Sequence, residues 1–369
     1  MAQSRILYYI SSLDQGGAER QLAELLRHLD LSRYEPFLAL SSARDQLGYA
    51  LPTGAPHVLP GPEDPRAGWA LLRLLNQLRP AVIHSYMGGE NLLARVCGRR
   101  AGVKVVSSVR CTRLSWKYLQ GERWTHPLAD AVVVNSVGIR DELVARAGVP
   151  LGKLHVIENG VDPTRFAPLT PEARTEARAR YGLEGTLAVL VSGRVCLQKN
   201  QVGVLRALAR LRSQGALPQE LRVLFAGRGA PAWYAAALKA LGRALGVDPW
   251  VRWLGLVNPI AELVGAVDAV LLPSHYEGLP NAVIEAMTCG APALVSPAAN
   301  ADRLVTDGVE GLHAGTSPEE IARALARLAA LDDGARRALG QRGHAHARER
   351  FAVERMARRT MALYESLLG

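Results

Sequence analysis

Two carboxylates, Glu277 and Glu285, flank the predicted start of a helix within residues 271–287. An apolar run ends there in a Gly/Pro turn, and Asn281 is the predicted N-cap of the helix that follows. Because a helix N-terminus favours anions, its first backbone N–H groups can hold phosphate oxygens. Two glutamates beside a phosphate would repel it unless they accept hydrogen bonds from sugar or ribose hydroxyls. Surface glutamates would explain Glu277 alone but not the whole segment.

Two cations occupy a second loop, residues 192–200, between a predicted strand and a predicted helix. Arg194 offers a planar fork of donors and Lys199 a point charge, a combination that suits a diphosphate. Two solvated cations on a loop are the structural alternative. Their position after a strand favours the functional interpretation, because ligands of open parallel sheets bind beyond the carboxyl ends of the strands.

A glycine pair, Gly16 and Gly17, lies in a third loop of the same kind, residues 11–20. Paired glycines let backbone N–H groups approach a ligand closely. The spacing is not the GxGxxG of a dinucleotide-binding loop. A tight turn that needs glycine explains the pair equally well, and the spacing alone does not decide between the two.

The elements that must position these loops form a regular series. Short continuous Val/Ile/Leu runs alternate with amphipathic stretches along the chain, a pattern typical of parallel strands covered on both faces. The series breaks at residues 159–171, which contain three prolines, and then restarts. We therefore expect an α/β fold of two doubly wound, Rossmann-like domains facing a cleft. The expected domains are residues 1–165 and 166–350, with a C-terminal helix, 351–369, that packs back on the first.

Length and composition agree with this organisation. The 369 residues suit two domains, and 49% hydrophobic with 21% charged residues is typical of a packed protein. No apolar stretch reaches the ~18–20 residues that span a bilayer, and the four cysteines lack metal or redox spacing. The net charge of +10 suits nucleic acid, an anionic membrane or phosphorylated ligands. Because the surplus is spread evenly over both halves of the chain, no basic half is left to grip nucleic acid.

Four segments, taken in order, resemble a known family. They are Gly16–Arg20, Val132–Ser136 with Ile157–Asp162, Gly193–Asn200 with its two cations, and the Glu277-x7-Glu285 motif. In this order they resemble the retaining, nucleotide-sugar-dependent glycosyltransferases of GT-B type, specifically family 4, the group 1 glycosyltransferases. The resemblance extends over nearly the whole chain.

The resemblance implies a role for each loop in binding the sugar donor. Arg194 and Lys199 would stabilise the diphosphate leaving group, Glu285 would bind the ribose, and Glu277 would contact the transferred sugar. The other donor-binding residues it implies are Gly16, Gly17, Gly227, Val257, Gly278, Leu279, Asn281 and Ala282. Catalysis would need no metal and no cofactor, and retention would proceed by same-face attack, the departing phosphate accepting the acceptor's proton. The co-substrate would be a UDP- or GDP-sugar.

The expected acceptor site departs from the family. Where many members have a histidine after the strand 103–109, this chain has Arg110, which cannot act as a base at neutral pH. Arg110 is therefore expected to bind an anionic acceptor or the donor phosphate, with His84 and Arg113 as further candidates. A lone histidine such as His84 is more often structural. At residues 298–303 the family's Gly-Gly pair is missing as well.

Basic and aromatic residues interleave between Arg99 and Arg123, with Glu122 as the only acid. This pattern fits a helix at the surface of an anionic membrane, although a soluble helix with buried aromatics has the same composition.

The sequence therefore predicts a cytoplasmic enzyme, or one peripheral to the membrane, that transfers a hexose or N-acetylhexosamine to a saccharide or lipid-linked acceptor in cell-surface glycan assembly. A sugar-nucleotide epimerase or hydrolase of the same fold and a nucleic-acid-binding protein are the alternatives, of which the last leaves Glu277 and Glu285 unexplained.

Overall fold

The structure is a computed structural model, and it describes residues 3–14, 16–43, 50–110, 115–227 and 231–369. The chain forms two compact units. Unit 1 comprises Met1–Gly160 with Val353–Gly369, and unit 2 comprises Val161–Ala352. The divisions thus fall after Gly160 and Ala352, whereas the sequence placed them after residues 165 and 350. Arg113 lies outside the described residues.

Unit 1 is built on a seven-stranded parallel sheet in the order β3-β2-β1-β4-β5-β6-β7. Its strands are β1 Ser4–Ile10, β2 Tyr34–Leu40, β3 His57–Val58, β4 Val82–Tyr86, β5 Lys104–Val109, β6 Ala131–Val134 and β7 Leu154–Val156. The central strands are continuously buried, as in β4, where every residue is inaccessible. Helices cover both faces of the sheet, which explains why these strands show apolar runs rather than alternation.

The helices of unit 1 divide between the two faces of the sheet. They are α1 Gly17–Arg27, α2 Ala67–Leu78, α3 Gly88–Ala101, α4 Trp116–Thr125, α5 Val137–Glu142 and α13 Val353–Leu368. Helices α2 to α5 share one apolar core with the sheet. Helices α1 and α13 share the core on the other face, where Met356 and Tyr364 pack among residues of β1 and β4. The last helix is therefore an integral part of unit 1.

Unit 2 contains a six-stranded parallel sheet in the order β10-β9-β8-β11-β12-β13. Its strands are β8 Leu187–Ser192, β9 Leu221–Ala226, β10 Val251–Gly255, β11 Ala269–Leu272, β12 Ala293–Val295 and β13 Gly311–His313. Its helices are α6 Pro171–Arg180, α7 Gln201–Ser213, α8 Ala232–Ala244, α9 Ala261–Ala266, α10 Asn281–Thr288, α11 Pro318–Ala330 and α12 Asp333–Arg350. One apolar core lies on each face of this sheet. The predicted α/β class with two doubly wound parallel sheets is confirmed.

Each sheet reverses its strand order at one point. In unit 1 the reversal lies between β1 and β4, and in unit 2 it lies between β8 and β11. At such a switch point the loops that follow the two strands diverge and leave a crevice in which ligands bind. The loops that follow β1, β8 and β11 carry Gly16–Gly17, Arg194–Lys199 and the two glutamates respectively. No described helix is long and apolar enough to cross a membrane.

Candidate functional site

An ion pair joins the two loops at the switch point of unit 2. The Lys199 Nζ donates to Glu277 Oε1 at 2.6 Å, and the two side chains are only 14% and 9% exposed. Lys199 follows β8, Glu277 follows β11, and these two strands are neighbours in the sheet. The structure therefore brings together a cation and a carboxylate that the sequence placed in separate motifs.

Backbone conformation brings Lys199 to this position. The chain leaves β8 through Gly193, whose φ of 138° is accessible chiefly to glycine, and a Cβ there would lie 3.1 Å from Lys199 Cε. One residue beyond the lysine, Asn200 caps α7 by accepting from the Gly203 N–H. The Asn200 amide also donates to the carbonyl oxygen of Pro273 at 3.1 Å, so the β8 loop is fastened to the end of β11.

Gly227, a predicted donor-binding residue, lies next to this loop. Its φ is 151°, and a Cβ at this position would overlap the carbonyl oxygen of Gly193. Its N–H donates to Gly255 O at 2.7 Å, and Gly193 N–H donates to Ala226 O at 2.9 Å. The ends of β8, β9 and β10 therefore pack too closely for any side chain at Gly227. Val257 follows β10, is partly exposed and packs against the apolar core of unit 2.

The β11 loop continues into α10, which differs slightly from the prediction. The helix begins at Asn281 and its N-cap is Pro280, with no side-chain cap, whereas the sequence predicted Asn281 as the cap. Proline fixes φ near the helical value, and the Pro280 carbonyl accepts the Val283 N–H at 3.1 Å, so the chain enters the helix one residue early. Glu285, inside α10, is 6% exposed.

The backbone donors expected at this helix start all lie beside the ion pair in sequence. Gly278 follows Glu277 directly, Leu279 is buried, and Asn281 and Ala282 form the first turn of α10. The site thus combines a paired cation, a helix N-terminus and a second carboxylate, Glu285. This set can neutralise a phosphate and accept hydroxyl hydrogen bonds.

Arg194, the other predicted cation, is held less firmly. Its side chain is exposed, and its Nη2 lies 3.5 Å from Gln198 Oε1. Gln198 in turn donates from Nε2 to the Tyr276 carbonyl at 2.8 Å, next to Glu277. Arg194 therefore belongs to the same loop system as the Lys199–Glu277 pair but remains available to solvent.

In unit 1, the glycine pair follows β1, one of the two strands at the switch point of the sheet. Gly16 is the N-cap of α1 in an extended conformation, and Gly17 begins the helix. The carboxylate of Glu19 lies against Gly16, where a Cβ would collide with it. An acidic side chain of the first turn thus already occupies the positive end of this helix, a place where a ligand anion would compete with it.

Arg110 lies at the carboxyl edge of the same sheet, just after β5. Its Nη1 donates to Asn159 Oδ1 at 2.9 Å, and its Cζ lies 5.3 Å from the centroid of the Tyr86 ring. The Asn135 amide donates to the same Asn159 oxygen at 3.3 Å. Burial lowers the pKa of Arg110, although the nearby Tyr86 opposes this shift. Asn135 and Asn159 lie in two of the segments that carry the family resemblance. Tyr86 was not singled out in the sequence, although its position at the end of β4 could have identified it.

His84 lies beneath this edge, inside β4, and is buried. Its Nδ1 lies 2.6 Å from the Tyr364 hydroxyl and its Nε2 lies 2.8 Å from Ser108 Oγ. The Tyr364 hydroxyl also donates to Tyr8 at 3.2 Å. Burial, with a smaller contribution from the Arg110 cation, holds the pKa of His84 well below its usual value. Because both ring nitrogens have partners, the geometry favours a structural role for His84 over contact with an acceptor.

In the described part of the chain, no group of three or more His, Cys, Asp or Glu side chains could hold a metal ion. The cations at the carboxyl edges of the sheets are Lys199 and Arg194 in unit 2 and Arg110 in unit 1.

Two family models match the chain, one for each half. The model described as "Glycosyltransferase Family 4" matches residues 15–165, and "Glycosyl transferases group 1" matches residues 186–330. The first match contains the glycine pair and Arg110. The second contains both cations and both glutamates of the unit 2 site.

Curated proteins with similar sequences include several D-inositol 3-phosphate glycosyltransferases. That of Corynebacterium kroppenstedtii is 32% identical over 247 residues, which cover 65% of this chain and 54% of the relative. That of Actinosynnema mirum is 34% identical over 252 residues, covering 66% of this chain and 59% of the relative. The matched region thus spans little more than half the length of these relatives.

Solved structures share the fold over almost the whole chain. Anabaena HepE in complex with UDP and glucose superposes with a TM-score of 0.85 at 22% identity, covering 99% of this chain and 100% of that one. A glycosyltransferase from Rickettsia africae gives 0.85 at 16% identity, with 100% and 99% covered. The two parallel-sheet domains therefore define a protein of the GT-B class. The chain belongs to glycosyltransferase family 4, as the two family models and the curated relatives show.

Proposed function

We propose that this chain is a retaining, metal-independent glycosyltransferase that moves a hexose or N-acetylhexosamine from a UDP- or GDP-sugar to a saccharide or lipid-linked acceptor. The observation that carries the proposal is the Lys199–Glu277 ion pair at the unit 2 switch point, beside the N-terminus of α10. Further support comes from HepE, a protein of the same fold whose structures contain UDP and UDP-glucose.

Each group then has a task in the transfer. Lys199 and Arg194, with the N-terminus of α10, offset the negative charge of the donor diphosphate as it departs. Glu285 accepts hydrogen bonds from the ribose hydroxyls, and Glu277 contacts the transferred sugar while it orients Lys199. In a same-face attack the departing phosphate takes the proton of the acceptor hydroxyl, so no dedicated base is needed. Two cations and a helix terminus take the place of a divalent metal and no cofactor is required.

The donor can be identified without knowledge of the acceptor. A thermal-shift panel of UDP, GDP, ADP and their sugars should give a rise in melting temperature with one uridine or guanosine series, because a ligand that binds only the folded state stabilises it. The Lys199→Ala variant should lose most of that rise. A panel in which no nucleotide stabilises the protein contradicts the proposal.

Metal independence is tested separately. With the donor identified, turnover measured by nucleotide release should persist in EDTA. Loss of turnover in EDTA that Mg²⁺ or Mn²⁺ restores would contradict the metal-free mechanism.

We also propose that unit 1 contacts an anionic membrane surface through helices α2, α3 and α4. Three tryptophans project there, Trp69, Trp116 and Trp124, which are 78%, 70% and 75% exposed. The charged residues exposed on these helices are all basic: Arg73, Arg99, Arg100, Lys117 and Arg123. The acids of the same helices, Glu90 and Glu122, are buried. Exposed tryptophans among cations are typical of proteins at the interface of anionic bilayers.

Vesicle co-sedimentation tests the membrane contact. Wild-type protein should sediment with anionic vesicles at low salt and less at high salt, and the variant Trp116→Ala/Trp124→Ala should bind weakly. Trp233→Ala is the matched control, because Trp233 is 70% exposed but lies in unit 2. The proposed membrane contact is contradicted if all three proteins sediment equally with the vesicles, or if the wild type does not sediment with them.

A further inference from the structure

The principal cation of the unit 2 site lies directly against a carboxylate. The Lys199 Nζ donates to Glu277 Oε1 at 2.6 Å, and the two side chains are 14% and 9% exposed. Because water screens charges poorly where side chains are this deeply buried, the carboxylate acts strongly on any further charge beside the lysine. An anion that binds Lys199 therefore also meets the charge of Glu277.

The loops hold this ion pair in place from both sides. A Cβ on Gly193 would lie 3.1 Å from Lys199 Cε, so the lysine side chain runs close to the backbone of its own loop. Gln198, which precedes the lysine, donates from Nε2 to the Tyr276 carbonyl at 2.8 Å. The Gln198 carbonyl in turn accepts the His275 N–H at 2.9 Å. Since the two loops are joined directly beside the pair, we expect the pair to persist when a ligand binds.

The donor and the product of the proposed reaction differ in charge at the phosphate that Lys199 would bind. In a nucleotide sugar the outer phosphate is a diester, which carries a single negative charge. After the sugar has left, the same phosphate is a terminal group with a charge of about −1.5 to −2 at neutral pH. A site made only of cations and a helix N-terminus would therefore bind the product more tightly than the donor.

We propose that Glu277 makes this site select the nucleotide sugar over the nucleoside diphosphate that the transfer releases. In the donor, sugar hydroxyls donate to the carboxylate, and the adjoining phosphate brings a single charge. In the product these hydroxyls are gone, and the additional phosphate charge lies near a buried carboxylate, which repels it. The ion pair thus orients Lys199 for the departing phosphate and also favours release of the product. This inference rests on the proposed function, because it concerns the same ligand.

Calorimetric titration of the full chain with three ligands tests this selection. The ligands are UDP, the β-methyl ester of UDP and UDP-glucose, and a second series contains GDP, its β-methyl ester and GDP-mannose. The methyl ester carries the charge of the donor but no sugar, so it separates the effect of charge from that of the sugar hydroxyls. In the series that binds, wild type should bind the ester more tightly than the nucleoside diphosphate, and the nucleotide sugar most tightly.

The variant Glu277→Gln removes the negative charge and nearly retains the shape of the side chain. Its affinity for the nucleoside diphosphate should rise about tenfold, whereas its affinity for the ester should change less, so that the preference reverses. The variant Lys199→Gln/Glu277→Gln replaces both charges by amides and leaves no unpaired lysine. It should bind every ligand more weakly than wild type and should also lose the preference for the ester.

A matched control comes from another ion pair of unit 2. Glu319 in α11 pairs with Arg210 in α7 at 3.3 Å, and both side chains are exposed. The affinities of Glu319→Gln should therefore equal those of wild type. The melting temperature of each variant without ligand shows whether it is folded.

The selection is overturned if wild type binds the nucleoside diphosphate as tightly as the ester or more tightly. It is also overturned if the ratio of these two affinities is the same in wild type and in both variants. Failure of wild type to bind any nucleotide of either series is a different result, because it contradicts the proposed function itself and this inference with it.

Discussion

The carboxyl edges of the two sheets hold their cations in opposite ways. In unit 2, Lys199 is paired with Glu277 at 2.6 Å, and the loops that carry them are fastened by Gln198 and Asn200. In unit 1, Arg110 is held by the neutral groups of Asn159 and Tyr86. One edge fixes its cation by an opposite charge, and the other fixes it by hydrogen bonding and stacking.

The difference bears on what each edge offers a ligand. A cation paired with a carboxylate is held in one orientation, but part of its charge is already neutralised. In the proposed reaction the donor diphosphate would therefore share Lys199 with Glu277. A cation held by neutral groups retains its full charge, at the cost of burying an uncompensated ion. The comparison therefore predicts strong coupling between residues in unit 2, and dependence on a single residue in unit 1.

The largest expected effect is in the ion pair of unit 2. Lys199→Ala should weaken turnover of the donor sugar by about 2–3 kcal/mol, roughly 30- to 150-fold in kcat/KM, because a charge-assisted contact to the diphosphate is lost. Lys199→Ala, Glu277→Ala and the double variant together form a double-mutant cycle. We expect their effects on kcat/KM to be non-additive, because the two side chains are in contact. Additive losses would show that the two residues act separately and would remove the contrast with Arg110.

A somewhat smaller effect is expected at Glu285. Glu285→Ala should weaken binding of the nucleotide by about 2 kcal/mol, because the ribose hydroxyls lose a carboxylate acceptor. Calorimetry with the nucleoside diphosphate alone measures this loss without the sugar. Glu176→Ala, at an exposed carboxylate of α6, should leave the affinity unchanged. Unchanged affinity of Glu285→Ala for the nucleoside diphosphate would contradict the assignment of Glu285 to the ribose.

The smallest effect is expected at His84, which lies in β4 beneath Arg110, and concerns the pH dependence of stability. Burial lowers the pKa of His84 in the folded state, so below about pH 6.5 the unfolded chain takes up a proton that the folded chain does not. The free energy of unfolding should therefore be greatest above that pH and fall by up to about 1.4 kcal/mol per pH unit below it. Urea titrations of wild type and His84→Gln between about pH 5 and 7 measure this slope. Identical slopes would show that His84 does not contribute.

Much of the architecture follows from local sequence. Continuous apolar runs such as those of β1 and β6 predict strands buried on both faces. The prolines of residues 159–171 predict the region where the chain passes from one unit to the other. The functional loops were found because each contains glycine or charge directly after such a run. The start of α10 was misplaced by one residue, since the rule for N-caps favours Asn281 and overlooks the preset φ of Pro280.

The pairings could not be predicted, because they depend on strand order. Lys199 and Glu277 meet only since β8 and β11 are neighbours, which no local pattern reveals. The partner of His84 is Tyr364, at the other end of the chain. The same holds for Arg110. The sequence shows an arginine where the family has a histidine, but the neutral residues around it come from β4, β6 and β7 and could not be predicted.

The return of the chain to unit 1 at Val353 has a consequence for biosynthesis. During translation the first 160 residues leave the ribosome long before α13, which fills the core beside β1 with Met356 and Tyr364. Until α13 has been synthesised, the core beside β1 lacks these apolar side chains, and His84 lacks its hydrogen-bond partner, the Tyr364 hydroxyl. Unit 1 thus completes its folding only after all of unit 2 has been synthesised, so that a nascent chain stalled before α13 presents an open core to chaperones.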